Sequence, residues 1–137
     1  MYQLTQADLI WNRACTFEVA DLRVGDRALA ALILFHGLVM NGGVVHALEC
    51  MKSQEFEASM SGYRFFGFDD VADFLTVARS TAAVALTDDE ADSLYAKLDA
   101  RYSELVPDDS TLAERFEAYY RDNPLEFAPL SPDAASG

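Results

Sequence analysis

The feature that most constrains the fold is an uncharged run from Ala28 to Met40. A helix that is apolar nearly all round lies either at the centre of a bundle or in a membrane. A membrane span needs about 20 apolar residues, and this run is shorter than that. The sequence therefore predicts that residues 28–40 form the innermost helix of a helical domain and do not span a membrane.

The run ends at Asn41, Gly42 and Gly43. Asn and Gly tolerate the left-handed backbone angles that the C-terminus of a helix commonly requires. A catalytic or phosphate-binding loop is the alternative, but such loops use a Lys or glycines repeated in a spaced pattern such as G-x-G-x-x-G, and both are missing here. We interpret the triplet as a structural corner between two buried helices.

Five further segments carry apolar residues at helical spacing, and no alternation typical of a strand extends beyond a few residues. The segments are residues 6–22, 44–60, 71–84, 88–104 and 112–122, with an aromatic connector at 61–68. The expected N-caps and capping boxes are Thr5 with Asp8, Asp26, Asp69 or Asp70, Thr87 with Glu90, and Thr111 with Glu114. The prediction is an all-α, single-domain bundle of about six or seven helices over residues 1–128, followed by a flexible C-terminal tail at 129–137.

The composition is strongly acidic, with 23 acidic and 10 basic side chains and a net charge of −13. Direct binding to nucleic acid is disfavoured because phosphate contacts need clustered Lys and Arg. A cationic partner, often another protein, is favoured by the same charge. An acidic surface that serves only solubility is the alternative.

The acids are concentrated in the second half of the chain, where residues 81–137 hold thirteen acids and four bases. At 3.6 residues per turn, one flank of the helix at 88–104 carries only aspartates, and the other flank mixes the two signs of charge. Two more aspartates follow in the next loop. The candidate partner-binding residues are Asp88, Asp92, Asp99, Asp108 and Asp109. Capping explains Asp88 without a partner, so a merely solvated acidic face remains the alternative.

The two histidines, His36 and His46, are the candidates for acid–base or metal chemistry. His46 lies three residues before Glu49, on the same helix face. No nucleophile motif and no Cys/His cluster accompanies them, so we expect no catalytic residue, metal or cofactor. The free cysteines, Cys15 and Cys50, and an N-terminus without a secretory pattern predict a cytoplasmic protein with reduced thiols.

The order of four segments resembles the family of DNA-mimic protein nineteen, a group of small bacterial helical proteins. The segments are "VMNGGVVHAL", "YRFFGFDDVADFLTVA", "LYAKLDARYSEL" and "LAERFEAYYRDNP". Asn41, Gly42 and Gly43 match the family's corner, and Gly67 matches a later glycine. The residues after the corner, Val44 to His46, replace the family's aromatic-rich continuation. The resemblance covers roughly residues 25–128.

The resemblance implies an all-helical domain without enzyme activity that can form a homodimer. The founding member of the family has an acidic surface that imitates DNA and sequesters a DNA-binding transcription factor. The resemblance implies such a surface here as well. Three hypotheses follow, in this order: a DNA mimic that occupies the basic site of a DNA-binding protein, an immunity-type protein that neutralises a basic toxin such as a nuclease, and a small enzyme that uses His46 and Glu49.

Overall fold

The structure is a computed structural model and describes residues 3–16, 22–84 and 86–130. These residues form seven α-helices and one 3-10 turn in a single compact body, with no strand among them. The helices are α1 (Gln6–Thr16), α2 (Val24–Gly42), α3 (Val44–Cys50), α4 (Ser53–Phe65), α5 (Asp69–Ala82), α6 (Asp88–Leu105) and α7 (Asp109–Asp122), and the 3-10 turn is Pro124–Glu126. The predicted all-α class and number of helices are confirmed.

Helix α2 is the central element, because it contacts α1, α3, α4 and the 3-10 turn. Its inner face is buried, as the uncharged run predicts, and consists of Leu29, Leu32, Phe35 and Val39. By length and composition, α2 is the one described helix that could cross a membrane, and 39% of that stretch is buried inside the protein. Met40, on its outer face, is 56% exposed.

Asp26 is not the N-cap of α2, so that prediction was wrong. The helix starts earlier, with Arg23 as N-cap, and Asp26 accepts the Arg23 backbone N–H at 3.0 Å. Asp26 is buried and also accepts hydrogen bonds from the Arg13 guanidinium at 2.6 Å and the Ala128 backbone N–H at 2.7 Å. The carboxylate thus ties α2 to α1 and to the C-terminal segment, through partners that no local sequence pattern reveals.

Two other helix starts differ from the prediction. Asp108, and not Thr111, is the N-cap of α7, because its carboxylate accepts the Thr111 backbone N–H three residues later. Neither Asp69 nor Asp70 caps α5, since both lie inside its first turn, after Phe68. The boxes predicted at Thr87 with Glu90 and at Thr5 with Asp8 are confirmed by reciprocal hydrogen bonds.

The single helix predicted over residues 44–60 is wrong, because the chain breaks between α3 and α4. Met51 adopts an extended conformation, with φ −100° and ψ 132°, although no Gly or Pro marks the position. Helix α4 then continues to Phe65, so the predicted connector shrinks to residues 66–68, where Gly67 has φ +86°. Helix α1 ends at Thr16, and residues 17–21 of the helix predicted over 6–22 lie outside the described residues.

The segment after α7 packs back onto the core. Phe127 and Ala128 are buried, and the Pro129 carbonyl accepts a hydrogen bond from Arg13. Phe127 closes an aromatic cluster with Phe66 and Phe116. The boundary between domain and tail stays a prediction, because residues 131–137 lie outside the described part of the chain.

Candidate partner-binding surface

The corner between α2 and α3 is built around Gly43. Asn41 and Gly42 end α2, and Gly43 takes φ +95° and ψ 173°, a region that is essentially restricted to glycine. Its N–H donates to the Val39 carbonyl at 2.7 Å. The chain therefore passes from α2 into α3 through the single residue Gly43.

Asp99 of α6 closes this corner from outside. Its Oδ1 accepts the Val44 backbone N–H, the first of α3, at 2.8 Å. A carboxylate at this position satisfies one unpaired N–H and interacts favourably with the helix dipole. The contact joins residues 55 positions apart, so the sequence pattern that groups Asp99 with Asp88 and Asp92 could not reveal it.

A cleft of about 170 Å³ lies beside the corner, between α3 and α6. Its walls include Gly43, His46, Glu49, Tyr95 and Asp99. Glu49 is exposed, and the sequence connected it with His46 only in the third hypothesis, that of a small enzyme. The cleft places it next to Asp99, one residue of the aspartate flank of α6, since both line the same opening.

His46 and Glu49 do not assemble a metal centre with other groups. In the ranges that the structure describes, no three His, Cys, Asp or Glu side chains are grouped so that they could hold a metal ion. The nearest sulfur to the His46 ring is Cys50 Sγ, 3.7 Å from the ring nitrogens. Both Cys50 and Cys15 are exposed free thiols.

The five predicted aspartates are all exposed, but they differ in their internal contacts. Asp88 and Asp92 have no hydrogen bond or ion pair to another described residue, whereas Asp99 holds the corner. Asp108 caps α7, and hydrogen bonds from Ser110 and then Thr111 lower the pKa of its carboxyl, which keeps it ionised. Asp109 is bonded to a buried histidine.

That histidine is His36, at the centre of a buried hydrogen-bonded chain. Its Nε2 lies 2.7 Å from Asp109 Oδ1, and its Nδ1 lies 2.8 Å from the Tyr102 hydroxyl. The Tyr102 hydroxyl in turn lies 2.7 Å from the Tyr63 hydroxyl, which is fully buried. His36 is therefore a satisfied core histidine, and it fixes the position of one exposed carboxylate.

Glu49, Asp88, Asp92 and Asp99 together form what we call the acidic row. Asp88, Asp92 and Asp99 lie on one side of the buried stripe of α6, which contains Leu98 and Tyr102. The basic residues of the helix, Lys97 and Arg101, lie on the other side of that stripe, and Arg101 pairs with Glu104. No base of α6 therefore neutralises the acidic row.

Comparison with known families adds one finding. The family model described as DMP19-like protein matches residues 20–129. The chain belongs to the DMP19-like protein family. The resemblance stated from the Asn-Gly-Gly corner is thereby confirmed. No curated protein and no solved structure shows significant similarity to the chain.

The DMP19-like match covers α2 through α7 and the 3-10 turn, and it leaves out α1. The corner at Gly43 and the whole acidic row lie inside the matched region. The acidic row is thus part of the family domain.

Proposed function

We propose that this protein is an acidic interaction module that occupies the DNA-binding site of a basic protein. The observation that carries the proposal is the acidic row, where Asp88, Asp92 and Glu49 are exposed and have no hydrogen bond or ion pair to another residue that the structure describes. Asp88 also stabilises the N-terminus of α6 from its first turn, but no hydrogen bond or ion pair among the described residues occupies any of the three charges, so they are available to an external cation. Membership of the DMP19-like family supports the same direction, because the family takes its name from DNA mimicry.

The spacing of the aspartates along α6 is compatible with contacts to a protein surface that normally binds the phosphate backbone of DNA. Asp88 and Asp92 are one helical turn apart, which corresponds to about 6 Å between their Cβ atoms. Their long-range attraction would raise the rate of association and weaken as salt screens it. Direct binding to nucleic acid is disfavoured, since the same surface repels phosphates.

The test neutralises the row without touching the corner. The variant carries Glu49→Gln, Asp88→Asn and Asp92→Asn and keeps Asp99, which α3 needs. The matched control carries Asp70→Asn, Glu114→Gln and Asp122→Asn. It removes the same number of negative charges, three, from exposed positions outside the acidic row. Tagged wild type, variant and control are each incubated with lysate of the native organism, at low and at high salt.

The expected result is that wild type and control capture the same DNA-binding protein at low salt, and that the row variant loses it. Capture of a nuclease whose activity is inhibited would replace the proposal with the immunity-type hypothesis. Equal capture by all three proteins would contradict a role for the acidic row. Equal unfolding curves of the three proteins are the control for folding.

A further inference from the structure

A second concave site lies between α1 and α7, away from the corner. It has a volume of about 210 Å³, below the range of roughly 300–1,000 Å³ that holds a drug-sized ligand. Trp11, Ala113 and Phe116 form its apolar wall, and the rings of Trp11 and Phe116 lie 5.9 Å apart. The site has the size and apolar floor to receive a single side chain.

Carboxylates surround this apolar floor. Asp8, Asp109 and Glu117 all line the site, and no basic side chain is among its lining residues. Arg121, one turn after Glu117 on α7, forms no ion pair in the described part of the chain. The site therefore combines a partly exposed Trp11 ring, with the buried Phe116 ring behind it, and a negative rim. That combination attracts a cation that can also stack.

Asp109 is held in place by a buried side chain, His36, whereas an ordinary surface carboxylate has no such partner. The Asp109 carboxylate is 78% exposed, yet its Oδ1 is fixed by Nε2 of the buried His36 at 2.7 Å. The Tyr102 hydroxyl holds the His36 ring at Nδ1, and the Tyr63 hydroxyl in turn holds the Tyr102 hydroxyl. A carboxylate has room for further hydrogen bonds after the first, so Asp109 can accept from a ligand without leaving His36.

We propose that the site between α1 and α7 receives an arginine side chain of the basic partner protein. This inference rests on the proposed function for the identity of the partner, but the site itself can be tested alone. The guanidinium is planar and weakly hydrated, so it stacks on Trp11 while it donates to carboxylates on the rim. The fold already uses this chemistry internally, since Arg115 lies 4.9 Å from the ring centre of Phe68.

Trp11 provides a direct measurement, because it is the only tryptophan of the chain. Its fluorescence is titrated with N-acetyl-arginine methylamide, with the lysine analogue, and with the isosteric but uncharged citrulline analogue. A saturable change with arginine, a weaker one with lysine and none with citrulline is the expected result. Equal responses to arginine and citrulline would overturn the inference.

Two variants, each with a matched control, locate the effect. Glu117→Gln removes one rim charge and is expected to weaken arginine binding about two- to fivefold, the effect of an exposed ion pair. Glu114→Gln, on the same helix but outside the site, should not change it. Ala113→Met fills the site and should abolish the response, whereas Ala100→Met on exposed α6 should leave it intact.

The source of the guanidinium is distinguished by two further probes, agmatine and the peptide acetyl-Gly-Gly-Arg-Gly-Gly-amide. A protein side chain as natural occupant predicts that the peptide binds at least as tightly as agmatine. Agmatine binding much more tightly than the peptide would assign the site to a small molecule and contradict the inference. Loss of partner capture in the acidic-row variant, with the arginine response retained, would show that the two surfaces act separately.

Discussion

At the scale of single residues, Gly43 and Gly37 occupy opposite situations within one stretch of chain. Gly43 has φ +95°, and a Cβ there would lie 3.0 Å from Asp99 Oδ2. Gly37 is inside α2 and exposed, and a Cβ there would meet nothing within 4 Å. The same substitution should therefore have opposite effects at the two positions.

Gly43→Ala is expected to lower the free energy of unfolding by about 1–3 kcal/mol, since it forces an alanine into a glycine-only region. Gly37→Ala is expected to raise it by about 0.5–1 kcal/mol, because alanine has less backbone entropy to lose in a helix. Urea unfolding of both variants measures the difference. A stabilised Gly43→Ala would contradict the geometry of the corner.

The buried tyrosines allow a second prediction at this scale. Tyr102→Phe leaves both the His36 Nδ1 and the Tyr63 hydroxyl without a partner, at about 1–3 kcal/mol for each buried polar group. Tyr63→Phe removes only the end of the chain, since Tyr102 keeps its bond to His36, and should cost about 0.5–1.5 kcal/mol. Equal losses in the two variants would show that the hydroxyls do not act as a chain.

The same tyrosines predict sensitivity to alkali. Burial raises the pKa of Tyr63 and of Tyr102 above the ordinary value of 10. A group that is neutral when protonated and has a raised pKa in the folded state stabilises the fold below its unfolded pKa. That stabilisation is lost as the pH rises above 10. The wild type should therefore lose stability steeply above that pH, and Tyr63→Phe should lose it less steeply.

At the scale of elements, α2 is the helix on which the others depend. Leu32 and Phe35 are 1% and 0% exposed, and Leu32→Ala or Phe35→Ala should cost about 2–5 kcal/mol. Denaturant unfolding with an unchanged m-value would confirm a loss of stability alone. A loss below about 1 kcal/mol at both positions would contradict the central placement of α2.

Sequence patterns predicted the elements that carry their own signals. The uncharged run marked α2, and the Thr87 and Glu90 box marked the start of α6. The break at Met51 carries no Gly or Pro, so packing of α3 and α4 against α2 decides it. The N-caps predicted at Asp26 and Thr111 were wrong for different reasons. The Asp26 carboxylate binds Arg13 and Ala128, which are distant in sequence. The N-cap of α7 is Asp108, one turn before Thr111.

At the scale of the whole molecule, the net charge of −13 indicates a cationic partner but does not show where on the surface that partner binds. The sequence grouped Asp88, Asp92 and Asp99 from helical periodicity alone. It could not add Glu49, which reaches the same surface only through the contact of α3 with α6. It also could not separate the free aspartates from Asp99 and Asp109, whose partners lie 55 and 73 residues away.

The central claim is that the acidic row occupies a DNA-binding site, and competition with DNA tests it most directly. The captured partner is purified and bound to a labelled DNA duplex, and the protein is then added at increasing concentration. We predict that the wild type displaces the duplex, that the control lacking Asp70, Glu114 and Asp122 charges does so equally, and that the variant lacking Glu49, Asp88 and Asp92 charges does not. A ternary complex of partner, duplex and wild type would contradict the account, because the surface would then bind outside the DNA site.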